Sequence, residues 1–236
     1  MLKIKRLGIV IVFFSCFFLG KTSFAQKINQ FDANKKRTGV WKKYYPNKRI
    51  RYQGQFKEGK EIGVFKYYDI SDSRYPIIIK KFNEENDSVA VSFYSISGKK
   101  QSEGIFINKK RVGKWVYYFD KENIMSTEFY VDGKLNGKVI NYYPNGKPTE
   151  ITNYKMGLKE GLSQKFSSAG ILIEEVNYKN DKENGVAKYF ELNGNLKETG
   201  VYKNGKRIGE WEFYLDGEIS DKKELEKENK YKKGNN

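Results

Sequence analysis

The chain has 236 residues, a formal net charge of +16, no histidine and one cysteine, Cys16. That composition excludes a Ser-His-Asp triad and histidine-based zinc sites, and it leaves no second thiol for an internal disulfide. Stability must come from packing and hydrogen bonds.

The first segment reads as a cleavable signal peptide over 1–25. Lys3, Lys5 and Arg6 supply a positive start, Leu7 to Gly20 is apolar, and Ser23-Phe24-Ala25 has small residues where a signal peptidase reads. The apolar run falls short of the roughly 20 residues that span a bilayer as a helix. An uncleaved membrane anchor is the alternative. Cys16 lies inside that run, after Phe14 and Ser15, and does not resemble a lipobox cysteine. Cleavage after Ala25 would remove Lys3, Lys5, Arg6 and Lys21 and leave +12. Such a chain favours anionic partners: lipid headgroups, acidic glycans or acidic proteins, with nucleic acid the least favoured after export. A polar lead-in, 26–36, follows.

From 37 to 218 the chain repeats itself. Gly39, Gly63, Gly113, Gly137, Gly161, Gly185 and Gly209 stand 24 residues apart, except for a gap of 50 between Gly63 and Gly113. Val89 holds the missing position, 24 before Gly113, so two residues are inserted in the second of eight units. Each glycine reads as preceding a strand. Two residues on comes Trp41, Phe65, Val91, Trp115, Val139 or Trp211; Ala187 is a weak version and Ser163 breaks the rule. Five on stands an aromatic in every unit, from Tyr44 to Tyr214. Seventeen on comes another ring, as at Phe56, Phe106, Tyr130, Tyr154, Tyr178 and Tyr202, with Phe82 in that role after the insertion.

Asn-Gly and Asp-Gly close the segments, as at Asn145-Gly146, Asp132-Gly133 and Asn204-Gly205. These are hairpin turns, because glycine, and to a lesser degree Asn and Asp, tolerate positive φ. Glycine or proline arrives too often for helices, and the rings suit a pleated surface. The fold class is therefore all-β: an elongated, twisted antiparallel meander of about eight 24-residue hairpins. Sixteen strands at about 4.8 Å would extend it to roughly 75 Å. No hairpin hides its rings alone, so neighbours must stack them into a continuous ridge.

The run Tyr52-Gln53-Gly54-Gln55-Phe56-Lys57-Glu58-Gly59-Lys60-Glu61-Ile62-Gly63 closely resembles the MORN repeat, and Gly104-Ile105-Phe106 and Gly200-Val201-Tyr202 echo it. The spacing of 24 and the Tyr142-Tyr143-Pro144-Asn145-Gly146-Lys147 wording resemble the divergent bacterial branch labelled YwqK-family antitoxin. The resemblance implies an elongated hairpin array used for protein or membrane association. An export signal argues against neutralising a cytoplasmic toxin. Val89 and Asp181, which replace glycines, imply locally altered turns.

Outside the register, Asp69 to Pro76 forms a longer loop, read as an ordinary insertion. The tail, 219–236, alternates charge and reads as a solvated end or a cap on the last edge strand. Glu84, Glu85 and Asp87 are the nearest acidic cluster, read as a solvated turn. Gly59-Lys60, Gly98-Lys99, Gly133-Lys134, Gly146-Lys147 and Gly205-Lys206 lack the following helix that a phosphate loop requires, but they display positive charge along one or both rims. No catalytic, cofactor-binding or metal-ligating residue is expected. The chain reads as an exported, non-enzymatic scaffold in the periplasm or outside the cell, binding an envelope or extracellular protein. The alternative is peripheral binding of lipid headgroups or anionic glycans through lysines and rings. A salt-sensitive complex would favour the alternative.

Overall fold

The structure, a computed structural model, describes residues 27–120 and 122–220. Residues 1–26, where the signal peptide is expected and Cys16 stands, and the residues from 221 onward lie outside the described residues. Strand β1 is Gln30–Phe31. Eight hairpins follow: β2 (Arg37–Tyr44) with β3 (Ile50–Lys57), and β4 (Lys60–Tyr68) with β5 (Pro76–Phe82). Next come β6 (Ser88–Tyr94) with β7 (Lys100–Ile107), and β8 (Lys110–Tyr118) with β9 (Ile124–Val131). The fifth unit splits its first strand into β10 (Lys134–Leu135) and β11 (Gly137–Tyr142), paired with β12 (Pro148–Lys155). The last three are β13 (Leu158–Phe166) with β14 (Leu172–Lys179), β15 (Lys182–Phe190) with β16 (Leu196–Lys203), and β17 (Lys206–Leu215) with β18 (Glu218–Ser220). Apart from β10 and β11, which both pair β9, neighbours in sequence pair antiparallel, giving one meander of 18 strands and, among the described residues, no helix.

The count exceeds the sixteen expected for two reasons. Asn136 interrupts β10–β11, although its N–H still reaches the Phe129 carbonyl at 2.8 Å. The polar lead-in adds β1, which the Asn29 side chain helps hold by accepting from the Lys42 N–H at 2.8 Å. Ile219 and Ser220, read as the start of the tail, belong to β18.

The anchor glycines lie within strands or open them; they do not precede them. Between β7 and β8, Glu103 pairs Val116 while Ile105 pairs Val112, so two extra residues bulge out at Gly113, whose φ is 64°. Left-handed φ is what such a bulge asks of a residue without a Cβ. Where Val89 stands instead, the β5–β6 ladder runs from Ile78↔Phe93 to Phe82↔Val89 with no shift. At the valine the ladder lacks the bulge, and the turn before it, residues 83–87, runs to five residues where its counterparts such as Asn204-Gly205 have two, which is the local alteration expected there. At 181, by contrast, the turn is unaltered. Asn180 and Asp181 take φ of 49° and 66°, matching Asn204 and Gly205 at 52° and 80° in the equivalent two-residue turn.

The core occupies one face of this single layer. Fully buried Phe65 lies over Gly54, where a Cβ would collide with its ring, and Trp115 lies over Gly104 in the same way. Phe56, Phe82, Tyr52 and Tyr67 wall in Phe65, the closest at 5.1 Å between centroids. Phe106, Phe93, Tyr117 and Tyr130 wall in Trp115, the closest at 5.0 Å. Edge-to-face packing of this kind adds to simple burial. Trp211 repeats the arrangement over Gly200 with Tyr189 and Tyr202. The ridge of rings is not continuous. Among the described residues no ring pair bridges Tyr130 and Tyr189, and buried Val139, Thr152, Ser163, Val176 and Ala187 carry the core between them.

Candidate binding surfaces

Strand alternation assigns each side chain to a face. The ring face is closed to ligands at its centre, where Trp115 is 1 % exposed and the Arg111 guanidinium stands 4.6 Å from its ring. Arg37 and Arg207 cover Trp41 and Trp211 alike, at 5.7 and 3.9 Å. These three arginines precede the three tryptophans by four residues. They act as lids on the rings, a pairing visible in the sequence but passed over there. Tyr130 accepts from Arg111 at 3.0 Å and donates to Glu128 at 2.6 Å, which ties the lid down.

The opposite face is open. On this face Val64, Ile105, Phe129, Val186 and Val201 are each 39–47 % exposed; Lys81 and Ala90 stand between the first two in the ladder, Lys114 pairs Phe129, and Lys138, Asn153, Leu162 and Asn177 separate Phe129 from Val186 and Val201. The recurrent aromatic five residues after each anchor also belongs to this face. Tyr118 donates to Glu103 at 2.5 Å, and Lys100 reaches the same carboxylate at 3.0 Å. The Tyr118 hydroxyl, together with that ammonium, holds the Glu103 carboxyl below its ordinary range. Burial first, and then the carboxylate, push Tyr118 up to about 12.

The lysines divide between the rims. One rim carries two-residue turns, apart from the longer turn over 83–87, and displays Lys60, Lys134 and Lys206; the other, with Lys99 and Lys147, carries mostly longer turns closed by a single left-handed residue such as Gly98 or Gly146, and ends in the two-residue turn Asp216-Gly217. Three hairpins of the first rim set two lysines directly opposite each other: Lys57↔Lys60, Lys179↔Lys182 and Lys203↔Lys206. The register shows this and the sequence alone does not, because opposition depends on where each turn is centred.

Glu84, Glu85 and Asp87 form the turn between β5 and β6, where the Asn83 and Asn86 side chains accept from the Glu85 and Ser88 N–H groups. They border a depression of about 630 Å³ with Lys57, Lys60 and Glu61. Among the described residues no group of three carboxylate or thiol ligands could hold a metal ion. The 69–76 loop is anchored from both sides. Ile70 accepts from the Asn47 side chain at 3.0 Å, and the Tyr75 ring lies against Gly98. Inside it Asp72 grips Arg74 at 2.6 Å, which holds the Asp72 carboxyl below its ordinary range.

Comparison with known families agrees with the geometry. The MORN repeat variant matches residues 37–58, 135–156, 159–180 and 183–204, which are the first, fifth, sixth and seventh units. None of the curated proteins matches the chain. With four of its units matched and all eight sharing one strand grammar, the chain is a MORN-repeat protein.

Proposed function

We propose that this protein is an exported, non-enzymatic scaffold that binds a partner protein across its open face, in the cell envelope or outside the cell. The observation that carries the reading is the row of half-exposed Val64, Ile105, Phe129, Val186 and Val201 on one face of an unlayered sheet. A row of apolar side chains spread over so many strands offers a flat partner the dry centre of an interface. Lys81, Lys114 and Lys138 stand among these residues on the same face and suit a partner that sets acids between its apolar groups.

The test is a pull-down from the native envelope with the wild type and with Val64→Glu/Ile105→Glu/Phe129→Glu. Capture of one envelope protein that survives about 500 mM salt and is lost in the triple variant supports the reading. Equal capture by both overturns it. Export is checked on the same material, where the protein's first residue should be Gln26; a Met1 start in the soluble cytoplasmic fraction would refute it.

A second reading, association with anionic lipid headgroups or glycans, is favoured by the opposed lysines of the first rim. Its signature is binding to anionic vesicles that disappears as salt rises from about 50 to about 500 mM.

A further inference from the structure

Lysines set directly opposite each other repel, whereas a lysine facing an acid is stabilised. Lys165 faces Glu174 across β13 and β14 and bridges it at 2.9 Å. At the tips of two consecutive hairpins the reverse holds, with Lys179 opposite Lys182 and Lys203 opposite Lys206. None of the four makes an ion pair among the described residues, and all four are exposed. Between the tips lies a depression of about 560 Å³ walled by Lys179, Asn180, Lys182, Asn184, Lys203 and Asn204, with no carboxylate in the wall.

The nearby acids are in part occupied elsewhere. Glu160 accepts from the Asn180 N–H at 3.1 Å, and Asp181 accepts from the Lys159 N–H at 2.7 Å. Glu183 keeps its carboxylate beside Gly205. The tips are also held at a set distance by the backbone. Gly205 donates to the Glu183 carbonyl at 2.9 Å, and Asn204 donates its N–H to Asn184 Oδ1 at 3.3 Å. That second bond turns Asn184 Oδ1 toward the backbone, and the side-chain NH2 groups of Asn180, Asn184 and Asn204 are available to donate. The depression is therefore lined by ammonium groups and neutral amides, with donors on a fixed frame.

The hairpin at Lys57 and Lys60 is an internal control. It has the same opposed pair, but its depression is shared with Glu61, Glu84, Glu85 and Asp87, which offset the charge.

We infer that the adjoining tips Lys179–Lys182 and Lys203–Lys206 form a binding site for a phosphate-bearing ligand with two or more negative charges. Phosphate oxygens accept from both ammonium and amide donors, and their charge relieves the repulsion between the opposed lysines. The inference deepens the second reading above and rests on it for its biological setting.

The experiment uses the full chain and two probes, sodium tripolyphosphate by calorimetry and phosphatidylcholine vesicles with or without phosphatidate by flotation, at one fixed salt concentration. Replacing all four lysines by glutamine weakens binding about tenfold or more, since two or more charge-assisted contacts disappear. Lys57→Gln/Lys60→Gln changes it less than about twofold, the scale of a distant charge. Lys182→Glu, which sets an acid opposite Lys179, raises the melting temperature while weakening binding; that combination separates a ligand site from a merely structural one. Binding of tripolyphosphate alone assigns a soluble phosphate, and binding of phosphatidate vesicles alone assigns a headgroup; either supports the site. Equal losses in the fourfold variant and the Lys57/Lys60 control overturn it and leave diffuse attraction. Absence of binding to both probes overturns the site, while the second reading is overturned separately, by absence of salt-sensitive binding to anionic vesicles and to a sulfated glycan.

Discussion

Two stretches of one sheet solve the same burial problem by opposite means. Around β7–β9 a large ring, Trp115, lies on a glycine and is fenced by four more rings. Around β12–β15 small side chains meet directly: Thr152 and Ser163 share a 2.7 Å hydrogen bond, and Val176 faces Ala187. Both stretches bury their central residues to a few per cent exposure. The difference teaches that a single-layer sheet can close its core by filling height or by reducing it. The choice is made jointly by two residues eleven apart. Glycine precedes Phe65, Trp115 and Trp211 by that distance, whereas Lys80, Glu128, Thr152 and Val176 precede Val91, Val139, Ser163 and Ala187.

The largest break expected is Trp115→Ala, which empties the fenced site and costs about 4 kcal/mol, read as a loss of denaturant midpoint. Next is a transplant. Ala187→Trp alone overfills a site with no exposed surface and costs about 3 kcal/mol. Adding Val176→Gly lays the new ring on a glycine and recovers about 1 kcal/mol or more. If the double variant is no better than the single, glycine spacing is not what admits a ring. A smaller effect is expected from Thr152→Val. It strips the buried Ser163 hydroxyl of its partner and costs about 1.5 kcal/mol, and Ser163→Ala in the same chain should recover part of it.

The smallest effect is in pH. Glu103 is held below its ordinary value of 4.5, so its contribution is complete above that value and fades as pH falls through the lower folded value. Tyr118 is raised from 10.0 to about 12, so its contribution is complete below 10 and fades as pH climbs toward 12. Tyr118→Phe should flatten both limbs of the stability profile at once. A variant that flattens neither limb would mean the pair does not couple to folding.

Much of this fold is legible in the amino-acid order, for a physical reason. Bulges and two-residue turns both demand left-handed φ, so glycine recurs wherever the chain bends, and its spacing reveals the eight units. The same fact hid which glycine does what. Gly113 in a bulge and Gly133 in a turn look alike as letters, and Gly104 is there for a third reason, the approach of a ring. β1 was not legible. It is two residues long, and its place depends on Asn29 reaching the Lys42 N–H, a contact set by tertiary position. The positive rims were visible in outline, yet the opposed lysines were not, because a one-residue change in a turn moves each lysine to another neighbour.

The central claim is that each unit's core residue is admitted by a residue of the unit before it. A double-mutant cycle at Gly104 and Trp115 measures this directly. With Trp115 present, Gly104→Ala should destabilise by about 2 kcal/mol, because the new methyl meets the indole; in a Trp115→Ala background the same change should be close to neutral. Equal costs in both backgrounds would contradict the account.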